Sequence, residues 1–326
     1  MTEPTTPPVL ARRKFGQTPL EVPPIAVGCA PLASMVDTFQ YAVPEEQAFA
    51  TIRAALGSPL NYLDTAAHYG DGESERRIGI VLRRMGGLPE GAILQTKAGR
   101  DAKVNDYSGE MVKYRFERSL DLLGLDQIDI VYLHDAEHTT FEAAMSPGGP
   151  VEVLKEFQQQ GVIKYLGVAS GPIDVETKYV ETGLFDAVIT HNRYTLLNRT
   201  ADPLIQNAHD RGMAVLNAAP YGSGMLAKGT AAYPRYAYQQ ASEEFIRTTQ
   251  AYEAICERYG VPLAAVSLQF STRDPRITST IVGMSHPERV QQTIDLLTTE
   301  IPAACWEEIS AVPVPEPDDP EKNRWK

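Results

Sequence analysis

A closed, parallel (β/α)8 TIM barrel is the architecture this sequence predicts, and three observations predict it. Eight short apolar or β-branched runs each precede a helical stretch, over about 300 residues. The turn after the first run reads Gly28-Cys29-Ala30-Pro31, without the GxGxxG loop of a doubly wound dinucleotide sheet. No Ser/Gly/Pro-rich linker divides the series, so residues 1–326 read as one barrel domain.

The elements follow in order. Polar, proline-rich segments at 1–10 and 313–326 are expected to be flexible tails. From Arg13 to Val22, a Gly-Gln-Thr turn between two extended pieces reads as a hairpin against the barrel floor. Strands are expected at 25–28, 62–63, 92–96, 128–133, 163–168, 187–189, 214–216 and 280–282. Helices are expected at 44–57, 74–85, 109–123, 150–160, 173–182, 200–211, 242–259 and 287–297. Pro44 followed by Glu45-Glu46, and Pro287 followed by Glu288, are helix starts. Gly57, Gly161 and Gly183 are helix stops.

Composition narrows the function classes. Lys plus Arg is 30 against 42 Asp plus Glu, a formal net charge of −12. Such a surface repels phosphate backbones and anionic lipid, so neither nucleic acid nor a membrane is the expected partner. Cys29, Cys256 and Cys305 are few, odd in number and without a CxxC pair, which fits a reducing, cytoplasmic location and neither a disulfide framework nor a zinc site. There is no apolar run of membrane-spanning length and no hydrophobic leader at the N-terminus. The expected partner is a small-molecule substrate, and a homo-oligomer is compatible with everything above.

In a (β/α)8 barrel reactive groups gather at the carboxyl ends of the strands. Asp64 follows the second expected strand, and Tyr69 lies in its loop. Lys97 closes the third, in Ile93-Leu94-Gln95-Thr96-Lys97. His134 closes the fourth, in Ile130-Val131-Tyr132-Leu133-His134. Singly, each has an ordinary structural reading: a loop cap, a half-buried aromatic, a snorkelling strand terminus, a hydrogen-bonding histidine. Together, at one end of three consecutive strands, they point to chemistry. A phenol of ordinary pKa near ~10 becomes a proton donor at neutral pH when a cation stabilises its anion. Adjacent His68 competes for that acid–base role.

These residues closely resemble the aldo-keto reductase superfamily, over essentially the whole chain. The likeness is carried by the N-terminal hairpin, Leu63-Asp64-Thr65-Ala66 with Tyr69-Gly70, Gln95-Thr96-Lys97, and Asp126 to His134. Gly167-Val168-Ala169-Ser170 and the Ser223-Gly224 loop extend it. The resemblance implies a catalytic tetrad of Asp64, Tyr69, Lys97 and His134. Tyr69 would exchange a proton with the substrate oxygen, Lys97 would lower the phenol pKa, Asp64 would hold Lys97, and His134 would orient the substrate.

The same resemblance implies a nicotinamide cofactor, NAD or NADP. Its contacts would come from Gly28, Asp64, Ser170, His191, Asn192, Tyr221, Ser223, Gly224, Met225, Gly283, Arg289 and Gln292. Ala218 stands where an aromatic usually stacks on the nicotinamide, so the stacking is either lost or supplied by another residue such as Tyr221. Gly283-Met284 stands where NADP-dependent members carry a Lys-Ser pair, while Arg289 matches a phosphate-contacting arginine. That combination leans toward NAD.

Asn192 to Arg199, Ala136-Glu137-His138 and Val261 to Ala265 resemble a branch that includes D-threo-aldose (L-fucose) 1-dehydrogenases and pyridoxal 4-dehydrogenases. The implied reaction is oxidation of a sugar's anomeric hydroxyl, with a polar rim of Asn192, Arg193 and His138. The alternatives are an NADPH-dependent reductase of a sugar-derived aldehyde, a pyridoxal dehydrogenase, and a nucleotide-sensing regulatory subunit.

Overall fold

The computed structural model describes residues 10–316. The expected tails lie for the most part outside the described residues. The chain opens with an antiparallel hairpin of β1 (Arg13–Lys14) and β2 (Glu21–Val22). Eight strands then close a parallel barrel: β3 (Ile25–Gly28), β4 (Tyr62–Asp64), β5 (Ile93–Gly99), β6 (Ile128–His134), β7 (Ile163–Ala169), β8 (Ala187–His191), β9 (Ala214–Ala218) and, after a small antiparallel hairpin of β10 (Arg235–Tyr236) and β11 (Gln239–Gln240), β12 (Ser279–Gly283), which pairs with both β9 and β3.

The helices are a short α1 (Val36–Phe39), α2 (Glu45–Leu56), α3 (Glu73–Met85), α4 (Gly109–Leu123), short α5 (Phe141–Ala144), α6 (Pro150–Gln159), α7 (Ile173–Glu181), α8 (Asp202–Asp210), short α9 (Met225–Lys228), α10 (Glu243–Tyr259), α11 (Leu263–Thr272), α12 (Glu288–Thr298) and α13 (Ala303–Ala311). Local chemistry sets their ends. The Ser108 hydroxyl accepts from the Met111 N–H at the start of α4, and Ser242 accepts from Phe245 at the start of α10. Left-handed glycines Gly86, Gly124 and Gly260 close α3, α4 and α10.

Alternation along the strands separates two cores. On β5, Leu94 and Ala98 face the helix layer, whereas Ile93 belongs to the interior cluster with Tyr62, Ile130, Tyr132, Ile189 and Leu216. The barrel centre is therefore packed with side chains, as the fold requires. Phe15 and Val22 of the hairpin complete that cluster from the amino end. Gly16 makes the plug possible. Its φ is +59°, and a Cβ there would stand 2.6 Å from the Gly212 carbonyl oxygen, just ahead of β9. Arg13 adds hydrogen bonds to the Thr272 and Ile277 carbonyls at 2.6 and 2.7 Å.

Several elements outside the barrel strands depart from expectation. Between β9 and β12 the chain holds α9, α10 and α11 rather than one helix: residues of α9, α10, α13 and the small hairpin share a satellite core, and α11 packs against α9, α12 and β12. Also, α13 and the β10–β11 hairpin carry no counterpart in the sequence reading. Among the described residues no helix is long and apolar enough to cross a membrane, and no cluster of three or more His, Cys, Asp or Glu could hold a metal.

Candidate active site

Strand register brings the chemical groups to one place. Gly28 pairs with Asp64, Asp64 with Gln95, Lys97 with Tyr132 and Gly99 with His134, so the carboxyl ends of β3 to β6 rise side by side. The loop after β4 is strapped to β5, with the Thr65 and Ala67 N–H groups donating to the Gln95 and Lys97 carbonyls at 3.0 Å each. Arg115, itself buried, donates to the Ala67 carbonyl at 2.7 Å and pairs with Asp71 at 2.8 Å. Gly70 and Gly72 have φ of +61° and +88°, which turn the chain around Tyr69 and deliver it into α3.

The Lys97 ammonium uses all three of its protons. It donates to Asp64 Oδ1 at 2.7 Å, the Thr65 carbonyl at 2.9 Å and the Tyr69 hydroxyl at 3.1 Å. Burial works against its charge, but Asp64 and then Tyr69 outweigh burial and hold it protonated above the ordinary lysine range. The Tyr69 phenol is pushed up to about 12, mainly by burial; Lys97 pulls it down and Asp64 pushes it up. Lys97 thus acts on the phenol in the expected direction, but burial, which the sequence does not show, is the larger effect. The resting phenol is neutral. His134 is held far below the ordinary histidine range, first by burial and then by the nearby Lys97 charge, so its ring is a neutral imidazole.

A cavity of about 360 Å³ opens above these groups. Asp64, Tyr69, Lys97 and His134 all line it, together with Gly28, His191 and Gly283 from the cofactor expectation. A Cβ on Gly28 would lie 3.3 Å from the Gly283 Cα, so two bare backbones form that wall. The remaining cofactor candidates stand back from the cavity. The Ser170 hydroxyl donates to Glu137, and its N–H donates to Glu176 at 2.9 Å. Asn192 Oδ1 accepts from Ser223 at 3.2 Å, and the Asn192 carbonyl accepts from Tyr236 at 2.7 Å. Gly222–Gly224 form a 3-10 turn, with Ser223 at φ +66°, leading into buried Met225. Tyr221 keeps a buried hydroxyl with no hydrogen-bond partner. Arg289 and Gln292 lie exposed on α12.

The expected polar rim is corrected in part. Asn192 and Arg193 are 0% and 3% exposed, folded inward rather than edging the mouth. His68, Arg100 and Asp135 take that place, and Met35, Phe39 and Tyr238 supply an apolar side. Tyr238 meets Phe39 edge-on, ring centroids 5.9 Å apart. Sequence reasoning missed this aromatic pair. Tyr238 sits in a hairpin turn at φ +66° after Ala237 at φ +46°, a turn without the glycine or asparagine that signals one.

Residues 25–313 match the aldo/keto reductase family. The chain belongs to that family. It is an NAD(P)-dependent oxidoreductase. It is similar to D-threo-aldose 1-dehydrogenase of a Pseudomonas species, 29% identical over 317 residues that cover 89% of this chain and 94% of that one. Pyridoxal 4-dehydrogenase of Microbacterium luteolum is 29% identical, with coverage of 90% and 95%. L-Galactose dehydrogenase of Arabidopsis thaliana is 29% identical, with coverage of 88% of each. A solved aldo-keto reductase from Bacillus halodurans, in its holo form, shares the fold with a TM-score of 0.73 at 22% identity, covering 94% of this chain and 98% of that one.

Proposed function

We propose that this protein is an aldose 1-dehydrogenase, oxidising the anomeric hydroxyl of a sugar such as L-fucose or another D-threo-aldose. The observation that carries the reading is the Lys97 ammonium held between Asp64 and Tyr69 at the base of a cavity lined by both polar and apolar groups. Two of the relatives above are named for oxidising sugars, and His68, Arg100 and Asp135 offer a polyhydroxylated ligand both donors and acceptors.

The nicotinamide cofactor, when bound, accepts or supplies the hydride. The residues present suit it. Gly28 and Gly283 present a flat backbone wall to the cavity, and Glu137 Oε1 and Asn192 Nδ2 are buried with no hydrogen-bond partner. An unmatched acceptor and an unmatched donor are what a carboxamide satisfies; Ser170 and His191 stand beside them in this reading. Tyr221, Ser223, Gly224 and Met225 would hold the phosphates, and Arg289 with Gln292 the adenosine end. NAD is favoured over NADP, because Arg289 stands without the basic partner that Gly283-Met284 replaces.

In oxidation the Tyr69 phenolate takes the proton of the substrate hydroxyl at Oη, becoming the neutral phenol, as hydride leaves the same carbon. In reduction Tyr69 returns that proton to the carbonyl oxygen. Lys97 stabilises the phenolate that reduction leaves and oxidation starts from, and Asp64 keeps Lys97 charged and in place. His134, neutral, orients the substrate oxygen by one ring nitrogen.

The test is turnover of NAD and NADP, followed by reduced-nicotinamide absorbance, against L-fucose, D-arabinose, pyridoxal and simple aldehydes. Oxidation of an aldose with NAD supports the proposal. Turnover of pyridoxal alone moves the assignment to that alcohol, and reduction of aldehydes only, with NADPH, overturns it.

A further inference from the structure

We infer that Gln95 is a positioning residue for proton transfer, locking the Asp64 carboxylate so that Lys97 stays on the Tyr69 hydroxyl. The inference rests on Tyr69 as the proton-transfer group. Gln95 lies two residues before Lys97 on β5 and so on the same inward face, one layer deeper. It is fully buried. Its Nε2 donates to Asp64 Oδ1 at 2.6 Å, the same oxygen that receives Lys97 at 2.7 Å. Its Oε1 accepts from the Tyr132 hydroxyl at 3.2 Å and from the Tyr62 hydroxyl. Those two phenols come from β6 and β4, the strands flanking β5.

The amide has one tolerable orientation. Turned over, its oxygen would meet the carboxylate, acceptor against acceptor, at the distance now spanned by a hydrogen bond. The two phenols reinforce the observed orientation, and Gly167 makes room for one of them, since a Cβ there would lie 2.3 Å from the Tyr132 ring. Gln95 thus passes the rigidity of the barrel core to the carboxylate. Being neutral, it anchors Asp64 without cancelling the charge that holds Lys97. A leucine would leave the carboxylate free to rotate and take Lys97 off the phenol.

The experiment compares wild type with Gln95→Leu, with the triple variant Gln95→Leu/Tyr62→Phe/Tyr132→Phe, and with Gln95→Glu. Gln95→Leu alone strands two buried phenols and lowers Tm; the triple variant removes both sides of those bonds and restores Tm to near wild type. If Gln95 positions the relay, the triple variant keeps KM for L-fucose within about twofold but loses about 100-fold in kcat, the scale of a 1 Å misplacement. Gln95→Glu adds a distinct signature. Its rate falls as pH rises and the new carboxyl ionises beside Asp64, opposite to wild type. A readout without substrate accompanies these: the Tyr69 Cζ resonance, assigned with Tyr69→Phe, shifts in the triple variant as Lys97 leaves the phenol. A triple variant with wild-type kcat, pH profile and Tyr69 resonance overturns the inference. If the wild type turns over none of the sugars or aldehydes, the proposed function fails, and the Tyr69 resonance alone decides the role of Gln95.

Discussion

The ring of Tyr69 stands edge-on to that of His134, with centroids 6.0 Å apart and planes at 86°. In the mechanism proposed above, a substrate oxygen seated between the neutral phenol and the neutral imidazole would meet one proton donor for transfer and a second for alignment. Replacing Tyr69 by Phe keeps the ring and removes the transferable proton. Turnover is expected to drop by at least about 1000-fold, while the nucleotide Kd changes by less than about threefold. Titration of nucleotide fluorescence alongside steady-state rates checks both halves, and substantial turnover in the variant would remove Tyr69 from its role.

The pH dependence should differ with direction. With the phenol pushed up to about 12, the neutral acid that reduction needs is fully present at neutral pH. The phenolate that oxidation needs is scarce there. Oxidation is therefore expected to accelerate steadily from pH 7 to 10, with reduction flat over the same range. Paired profiles on one alcohol–carbonyl couple decide it. An oxidation rate flat across that window would assign the base to a different group.

Lys97 and Asp64 form an ion pair with side chains only 3% and 4% exposed. Removing one partner leaves the other charge buried, which typically costs about 3–5 kcal/mol. Lys97→Met is expected to lose that stability and all activity. Asp64→Asn/Lys97→Met is expected to recover stability without activity. Denaturant midpoints across this double-mutant cycle measure the pair directly, and additive losses would mean the two are not coupled.

Glu75 carries a pH effect apart from the relay. Fully buried, it accepts from Thr96 at 2.6 Å, keeps one oxygen unpartnered, and is pushed up to about 7, chiefly by burial. A raised carboxyl pKa means that the folded state holds a proton the unfolded chain releases. Stability is thus complete below the unfolded value, falls as pH rises toward 7, and is level above it, a loss of up to about 3 kcal/mol. Glu75→Gln should raise Tm at pH 8 and leave it unchanged at pH 5. Thermal melts at the two values test this, and equal shifts at both would contradict it.

Much of this was legible in the sequence, for physical reasons. Short β-branched runs bounded by helix caps located all eight barrel strands, and the chemical groups lay at their ends because the barrel interior is packed and only the carboxyl-end face opens into a cavity. What escaped lacks a local signal. Leu263–Thr272 is apolar on nearly every face, so no amphipathic period marks it as a helix separate from α10. Gln95 reads as one polar residue in an ordinary strand until Tyr62 and Tyr132 are placed around it. Asn192 and Arg193 look like surface groups by type, yet a buried loop holds them through bonds made by Ser223, Tyr236 and the His191 carbonyl. Burial of the Tyr69 hydroxyl, which reverses the net effect on its pKa, is likewise a property of the folded loop and not of its composition.

The hairpin carrying Phe15 and Val22 plugs the amino end of the barrel, and side chains fill the layers beneath Lys97. The pocket is therefore blind. Two reactants must share one doorway, and whichever lies deeper has to arrive first and depart last. Traffic through this enzyme is accordingly a queue, and its steady-state inhibition patterns should show compulsory order.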